Sequence, residues 1–346
     1  MDPLRAAAAE RHPLSEPLSE PSSPVEAPRV TPLPADLRGV PLLYALACRG
    51  RWGEVAAAAA RQLGDPGTAP EAVLPCVTLH ALALAKQRLY NAADDLLQSP
   101  TLLAAVRDTV AARGEEAVPF ALRLLRCELP QHLGRPADTR DALSLLHDAC
   151  LRHAAEPAVG DEAARVWRSR AWRVVCRLVA FHHALGDLRS ALAWLDLHTR
   201  RCPDDQQHLR LARQAAAALC LQAGDATAAQ LAGVGERDLG AKVLLASKDF
   251  AVARRQFDDA RRAAPGDLCA SNNAAVAALY CGDLPGATAA MESARPTGQG
   301  LHEAIIMNMC ILSDLSAADP AAAKAQLAAL VSTASDDFNS VAAMGG

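Results

Sequence analysis

The chain has 346 residues, 51% of them apolar but only 3% aromatic, and a formal net charge of −4. Alanine and leucine therefore carry the hydrophobicity, which favours close-packed helices over sheets, because strands draw on β-branched and aromatic side chains. The charge balance excludes a general attraction to nucleic acid or anionic lipid, and no run of about eighteen apolar residues offers a membrane span.

Residues 1 to 36 differ from the rest of the chain. Eight of the 22 prolines fall here, beside the tandem "LSEPLSEPSSP". Such sequence buries too little apolar area to offset the entropy of ordering, so a disordered Pro/Ser-rich tail is expected. Ser22-Ser23-Pro24 is either a phosphorylation site or plain solvated chain. The opening "MDPLRAAAAERHPLSEP" is too polar for a secretory signal, so the expected compartment is the cytoplasm.

From about Pro41 onward the apolar residues follow a helical period. The clearest stripe is Trp167, Ala171, Val174, Leu178, Phe181 and Leu185, in steps of four and three. Segments of this kind end at Arg49-Gly50-Arg51, Gln87-Arg88, Gly134-Arg135, Gly186-Asp187, Gly224-Asp225 and Gly282-Asp283. Helices joined through short turns at recurring intervals predict an array of helical hairpins over residues 37–346.

Two segments share one register. In one it reads Leu188, Ala191, Leu195, His198, Pro203; in the other Phe250, Ala253, Phe257, Ala260, Pro265. This is the spacing of the tetratricopeptide signature. The alanines mark close helix crossings, the large residue fills the space beside them, and proline, lacking an N–H, stops the helix. Ala253 to Ala287 is 34 residues, one full repeat. Gly224 to Lys248 is only 24, so the hairpin there is expected to have lost most of a helix or to be distorted. Units around Trp52-Gly53-Glu54-Val55 and Leu89 to Leu97 match partly. Ala191, Leu195, Pro203, Ala253, Phe257, Ala260, Pro265 and Ala287 are the expected packing positions of an all-α, tetratricopeptide-like solenoid.

Near its C-terminal end the chain reads "ASNNAAVAALYCGD". Asp267 is the expected N-cap of a helix beginning near Leu268. Asn272 and Asn273 then point about 100° apart, so they cannot form one clamp. Asn272 is the candidate partner contact: one amide of the pair is expected to face the groove while the other bonds to the neighbouring hairpin.

No catalytic or metal constellation is present. The two closest of the ten cysteines, Cys269 and Cys281, are twelve residues apart, with no C-x-x-C and no H-E-x-x-H. Most thiols are expected to be buried small hydrophobes, as for Cys176 in "RVVCRLV" and Cys220 in "AALCLQAG". Walker, dinucleotide and nucleophile-elbow motifs are missing. His182-His183 beside Asp187 is expected to be a solvent-facing pair at a turn. The expectation is a chain without enzymatic activity and without cofactor.

Several stretches go beyond the general repeat: "VPFALRLLRCELPQHLG" (Val118 to Gly134), "VWRSR" (Val166 to Arg170), "SNNAAVAALYCGDL" (Ser271 to Leu284), "LHEAIIMNM" (Leu301 to Met309) and "DDFNS" (Asp336 to Ser340). In this order they resemble the C-terminal tetratricopeptide region of the trafficking protein particle complex subunit 12 family, over roughly residues 38 to 346. The resemblance implies a non-enzymatic scaffold of a complex that tethers vesicles between endoplasmic reticulum and Golgi, with a link to autophagy. It implies other subunits of that complex as partners, a Rab GTPase only indirectly, and peripheral membrane association through the complex. The alternative is a generic tetratricopeptide adaptor for a peptide or a chaperone C-terminal tail. The helix "LHEAIIMNMCILSDL" offers no Lys or Arg for such a carboxylate.

Arg170, Arg173 and Arg177 step by three and four beside the apolar stripe, with Arg165 and Arg168 nearby. They form either an ordinary solvated face or a docking stripe for an acidic partner, since guanidinium groups pair with carboxylates in bidentate geometry.

Overall fold

The structure, a computed structural model, describes residues 37–156, 160–203, 205–233, 237–264, 266–292, 302–317 and 319–331. The expected tail, the Ser22–Pro24 stretch, Pro265 and the "DDFNS" stretch lie outside them. Among the described residues there are α-helices and one 3-10 turn and no strand.

In chain order the helices are α1 (Gly39–Ala47), α2 (Trp52–Leu63), α3 (Pro70–Lys86), α4 (Tyr90–Gln98), α5 (Pro100–Arg113), α6 (Phe120–His132), α7 (Pro136–Ala155), α8 (Asp161–Ala184) and α9 (Leu188–Arg201). They continue as α10 (Gln206–Gln222), α11 (Ala226–Ala232), α12 (Arg237–Ala246), α13 (Phe250–Ala263), α14 (Leu268–Tyr280), α15 (Leu284–Glu292), α16 (Glu303–Ser316) and α17 (Pro320–Val331). Apart from α5 and α6, helices adjacent in sequence pack together, and the pairs α1/α3, α3/α6, α6/α8, α10/α12 and α14/α16 also touch. In these five pairs the first helix of one hairpin meets the first helix of the next, which is the stacking rule of a helical-repeat solenoid.

Among the described residues one turn is used seven times. Gly50, Arg88, Gly134, Gly186, Gly224, Lys248 and Gly282 all have φ between 62° and 79°. The amide of the residue after each donates back across the last turn: Arg51 to Leu46, Leu89 to Leu84, Arg135 to Pro130, Asp187 to His182, Asp225 to Cys220, Asp249 to Leu244 and Asp283 to Ala278, all at 2.9–3.1 Å. This is the Schellman closure, which satisfies carbonyls that a helix end leaves open. The same residue opens the next helix. Where it is Asp187, Asp225 or Asp283, its carboxylate also accepts the amide of Ser190, Ala228 or Gly286 at 2.8–3.0 Å. Four residues further on stand Val55, Ala93, Thr139, Ala191, Ala229, Ala253 and Ala287, every one fully buried at 0% exposure. A turn that folds the second helix tightly back on the first forces a close crossing one turn later, and only a compact side chain fits there.

The turns are regular although their spacing is not: 38, 46, 52, 38, 24 and 34 residues separate them. The extra helix α5 lengthens the second interval, and the long α7 and α8 lengthen the third. The 24-residue interval contains the second helix of one hairpin and the first helix of the next, both short: α11 has 7 residues and α12 has 10. Compression is shared between the two rather than falling on one. The turns at Gly50 and Arg88 match the others in geometry even though the sequence around them matches only partly.

The core changes character along the chain. In the centre Phe120, Leu124, Leu143, Trp167, Ala171, Val174 and Leu178 interlock. Toward the C-terminal end Ala253, Ala274, Ala275, Ala277, Ala278 and Ala287 close around Phe257 and Ile306. The predicted stripe on α8 is buried from Trp167 to Phe181. It stops short of Leu185, which is the C-cap of α8 and is 60% exposed.

Candidate protein-docking surface

The three arginines of α8 have three different environments. Arg177 is part-buried and turned toward α6, where its Nε and Nη2 donate to the two oxygens of Glu128, the Nη2 contact at 3.1 Å. Glu128 is itself buried. Burial works against the Arg177 charge, but the Glu128 charge and hydrogen bonds outweigh it and raise its pKa. A fork paired this way is a structural clamp between first helices.

Arg170 lies one turn from Trp167, its guanidinium 4.4 Å from the centre of the Trp167 ring and 5.3 Å from that of Phe120 on α6. The Arg173 guanidinium is 5.8 Å from the same Phe120 ring. Burial lowers the pKa of Arg170, and the nearby charges of Arg123 and Arg173 lower it further. Arg123 holds Glu115 at 3.5 Å. Arg170 holds no carboxylate among the described residues. On the same tryptophan His153 stacks at 4.5 Å, and it also reaches Glu156 at 3.1 Å. The expected stripe therefore divides: Arg177 is turned inward onto Glu128, while Arg170 and Arg173 lie against the Phe120 ring with the charge of Arg123 close by.

Asn272 and Asn308 link α14 to α16, the Nδ2 of Asn308 donating to the Oδ1 of Asn272 at 2.7 Å. Asp267 caps α14 by accepting the amides of Cys269 and Ala270 at 2.8 and 3.2 Å. The packing residues Ala191, Leu195, Ala253, Phe257 and Ala287 are buried. Ala260 is half-buried, and Pro203, just past the C-cap Cys202 of α9, is exposed.

Two expectations need correction. His182 is not solvent-facing: it is buried against Phe181, with Nδ1 3.4 Å from Asp187 Oδ2. Cys176 is exposed, and Cys220 is half-buried, because the period that buries Val175 and Val179 turns position 176 outward. Cys150 is buried and Cys127 half-buried, and burial pushes their thiols up to about 11 and about 12.

A cluster that sequence reasoning missed sits where α7, α8, α9 and α10 meet. His147 and His198 are both fully buried, with Nε2 of the first 3.2 Å from Nδ1 of the second. Trp194 lies edge-on to His147 at 5.7 Å, Trp172 stacks on His208 at 5.3 Å, and Asp205 lies 2.8 Å from His208 Nδ1. Burial pushes His147 and His198 each down to about 4 and lowers His208 as well. A signal was present: His198 occupies the register position that Ala260 holds in the other matched segment. Among the described residues no group of three His, Cys, Asp or Glu side chains is arranged to hold a metal ion. No helix described is long and apolar enough to cross a membrane.

The turn, the buried small residue four positions on and the first-helix contacts define this chain as an all-α solenoid of helical hairpins. Its sequence is 26% identical over 256 residues to trafficking protein particle complex subunit 12 of Homo sapiens, covering 64% of this chain and 34% of that protein. The corresponding protein of Mus musculus is 26% identical over 257 residues, covering 64% of this chain and 32% of its own length. The resemblance read from the quoted segments is thus found again over most of the chain. The chain spans about a third of the length of these curated relatives. No protein-family model matches it.

Proposed function

We propose that the chain is a non-enzymatic scaffold subunit of a trafficking-particle complex, docking other large subunits through its solenoid surface. The observation that carries this reading is the conjunction of the similarity to subunit 12 in two mammals with a repeat fold whose hairpins share one turn geometry. A stack of hairpins presents an extended surface rather than a single cleft, which suits contacts spread over many residues. In this reading the chain acts in vesicle tethering between endoplasmic reticulum and Golgi, with any tie to autophagy belonging to the complex as a whole. It works in the cytoplasm, reaches membranes only through its partners, and influences a Rab GTPase only through the assembled complex.

Affinity purification of the tagged chain from its native cells, followed by mass spectrometry, tests this. Recovery of several trafficking-particle subunits in fixed proportion is expected. A wild-type chain that recovers none of them overturns the proposal.

A further inference from the structure

We propose that Arg170, carried on the rings of Trp167 and Phe120 and flanked by Arg123 and Arg173, anchors a docking surface for an acidic protein segment. The inference rests on the scaffold reading above and names the chemistry of one of its contacts. The cluster draws on two helices: Arg123 and Phe120 come from α6, Trp167, Arg170 and Arg173 from α8. The helix contact that brings them together is fixed below the surface by the Arg177–Glu128 clamp.

Arg170 itself pairs with no described carboxylate. Glu115 is shared by Arg123 and His153, at 3.5 and 3.7 Å. Glu128 is taken by Arg177. Glu116 stands exposed and acts on Arg170 only as a neighbouring charge. Two guanidinium groups thus approach one phenylalanine ring with the charge of a third close by, in a chain whose overall charge is −4. A local positive cluster on an acidic molecule directs an acidic partner to this place. The aromatic face fixes the plane of the guanidinium while leaving its N–H edge to donate. The half-buried guanidinium of Arg170 has given up part of its hydration without gaining a carboxylate, so a partner carboxylate completes it with little further desolvation.

The test measures binding of a short fluorescein-labelled peptide of alternating Glu, Asp and Leu to the purified chain, with the Gln/Asn version of the same peptide as control. The expected result is salt-sensitive binding of the acidic peptide alone. Arg170→Ala weakens it about tenfold, as for loss of a central arginine anchor. Arg170→Lys, which keeps the charge and loses the stacked plane, falls between. Arg262→Ala, removing an exposed arginine of α13 that pairs with Asp259, leaves binding unchanged. Melting curves of all variants establish that they are folded, and the Lys variant keeps the test decisive if the Ala variant is not. The proposal is overturned if the acidic peptide does not bind or if the Arg170 variants bind as the wild type does. It is also overturned if inorganic phosphate displaces the peptide where chloride of equal ionic strength does not, which marks a phosphate site instead. Subunits that co-purify equally with wild type and Arg170→Ala, without peptide binding, remove this surface and leave the scaffold reading standing. Peptide binding that needs Arg170, in a chain that recovers no subunit, does the reverse.

Discussion

The centre of the solenoid and its C-terminal part solve the same packing problem with different materials. Between α6 and α10 the hairpins are joined by large and polar groups, buried or half-buried: Trp167, Trp194, His147, His198 and the Arg177–Glu128 pair. Between α12 and α16 they are joined by alanines packed around Phe257 and Ile306. Both regions use the same turn and the same buried small residue after it. The backbone rule is common; what fills the space between hairpins is free to vary. The centre should therefore respond to charge and pH, and the C-terminal part to side-chain volume.

The largest expected effect is in the centre. Glu128→Ala strands the part-buried Arg177 charge and should destabilise the chain by about 3–5 kcal/mol. Replacing both partners with leucine should recover most of that loss, because the desolvated charge then disappears with its partner. Urea denaturation of the single and double variants reads this directly. A double variant as unstable as Glu128→Ala would mean that the pair itself, and not its breaking, carries the stability. No comparable effect is expected from the Asn272–Asn308 pair, a single neutral hydrogen bond contributing about 1 kcal/mol.

Acid should separate the two regions next. His147 and His198 ordinarily titrate near 6.5 and are held down to about 4 in the folded chain. Between those values the unfolded chain binds protons that the folded chain does not, so stability falls as pH drops from about 6.5 toward 4 and is fully present above. At about 1.36 kcal/mol per pK unit, each histidine accounts for at most about 3 kcal/mol. The sum is smaller, because the two rings touch and titrate as a pair. Melting between pH 7 and pH 4.5 should show the fall, and His198→Ala should flatten it. Unchanged curvature in that variant would place the acid sensitivity elsewhere. The C-terminal core, whose clustered residues are all apolar, should not contribute.

Volume should act in the opposite sense. Ala253→Leu and Ala287→Leu place extra methyl groups at fully buried crossings and should each cost about 1–3 kcal/mol. Equal or higher melting temperatures for both variants would show that the turns do not impose the close approach inferred from them.

Much of this frame was legible in sequence, and for identifiable reasons. Gly50, Gly134, Gly186, Gly224 and Gly282 marked turns because only glycine adopts left-handed backbone without strain. Ala191, Ala253 and Ala287 marked crossings because a small residue recurs in register. What was not legible depended on contacts between hairpins. Arg177 looked like its neighbours Arg170 and Arg173 until α6 brought Glu128 beside it. His147 lies 51 residues from His198 in sequence, so neither could announce the cluster alone. Cys176 and Leu185 were misplaced because an apolar neighbourhood in sequence does not say which side of a helix a residue takes.

The smallest expected effect tests the common element itself. Two of the seven turns place a non-glycine residue at positive φ: Arg88 at 62° and Lys248 at 68°. A Cβ in left-handed backbone costs about 1–2 kcal/mol, and glycine gives back part of that gain through the greater freedom of the unfolded chain. Arg88→Gly and Lys248→Gly should therefore stabilise by about 0.5–1 kcal/mol each. The converse, Gly186→Ala in the centre and Gly282→Ala near the C-terminal end, should destabilise by about 1 kcal/mol. At both glycines an added Cβ meets nothing within 4 Å, so backbone conformation alone sets that cost. Because the turn is the same in both regions, the two alanine variants should lose equal amounts, whatever fills the space between the hairpins around them. Chemical denaturation of the four variants decides this. Unequal losses at Gly186 and Gly282 would show that the filling feeds back on the turn, and that the backbone rule is not independent of the core it encloses.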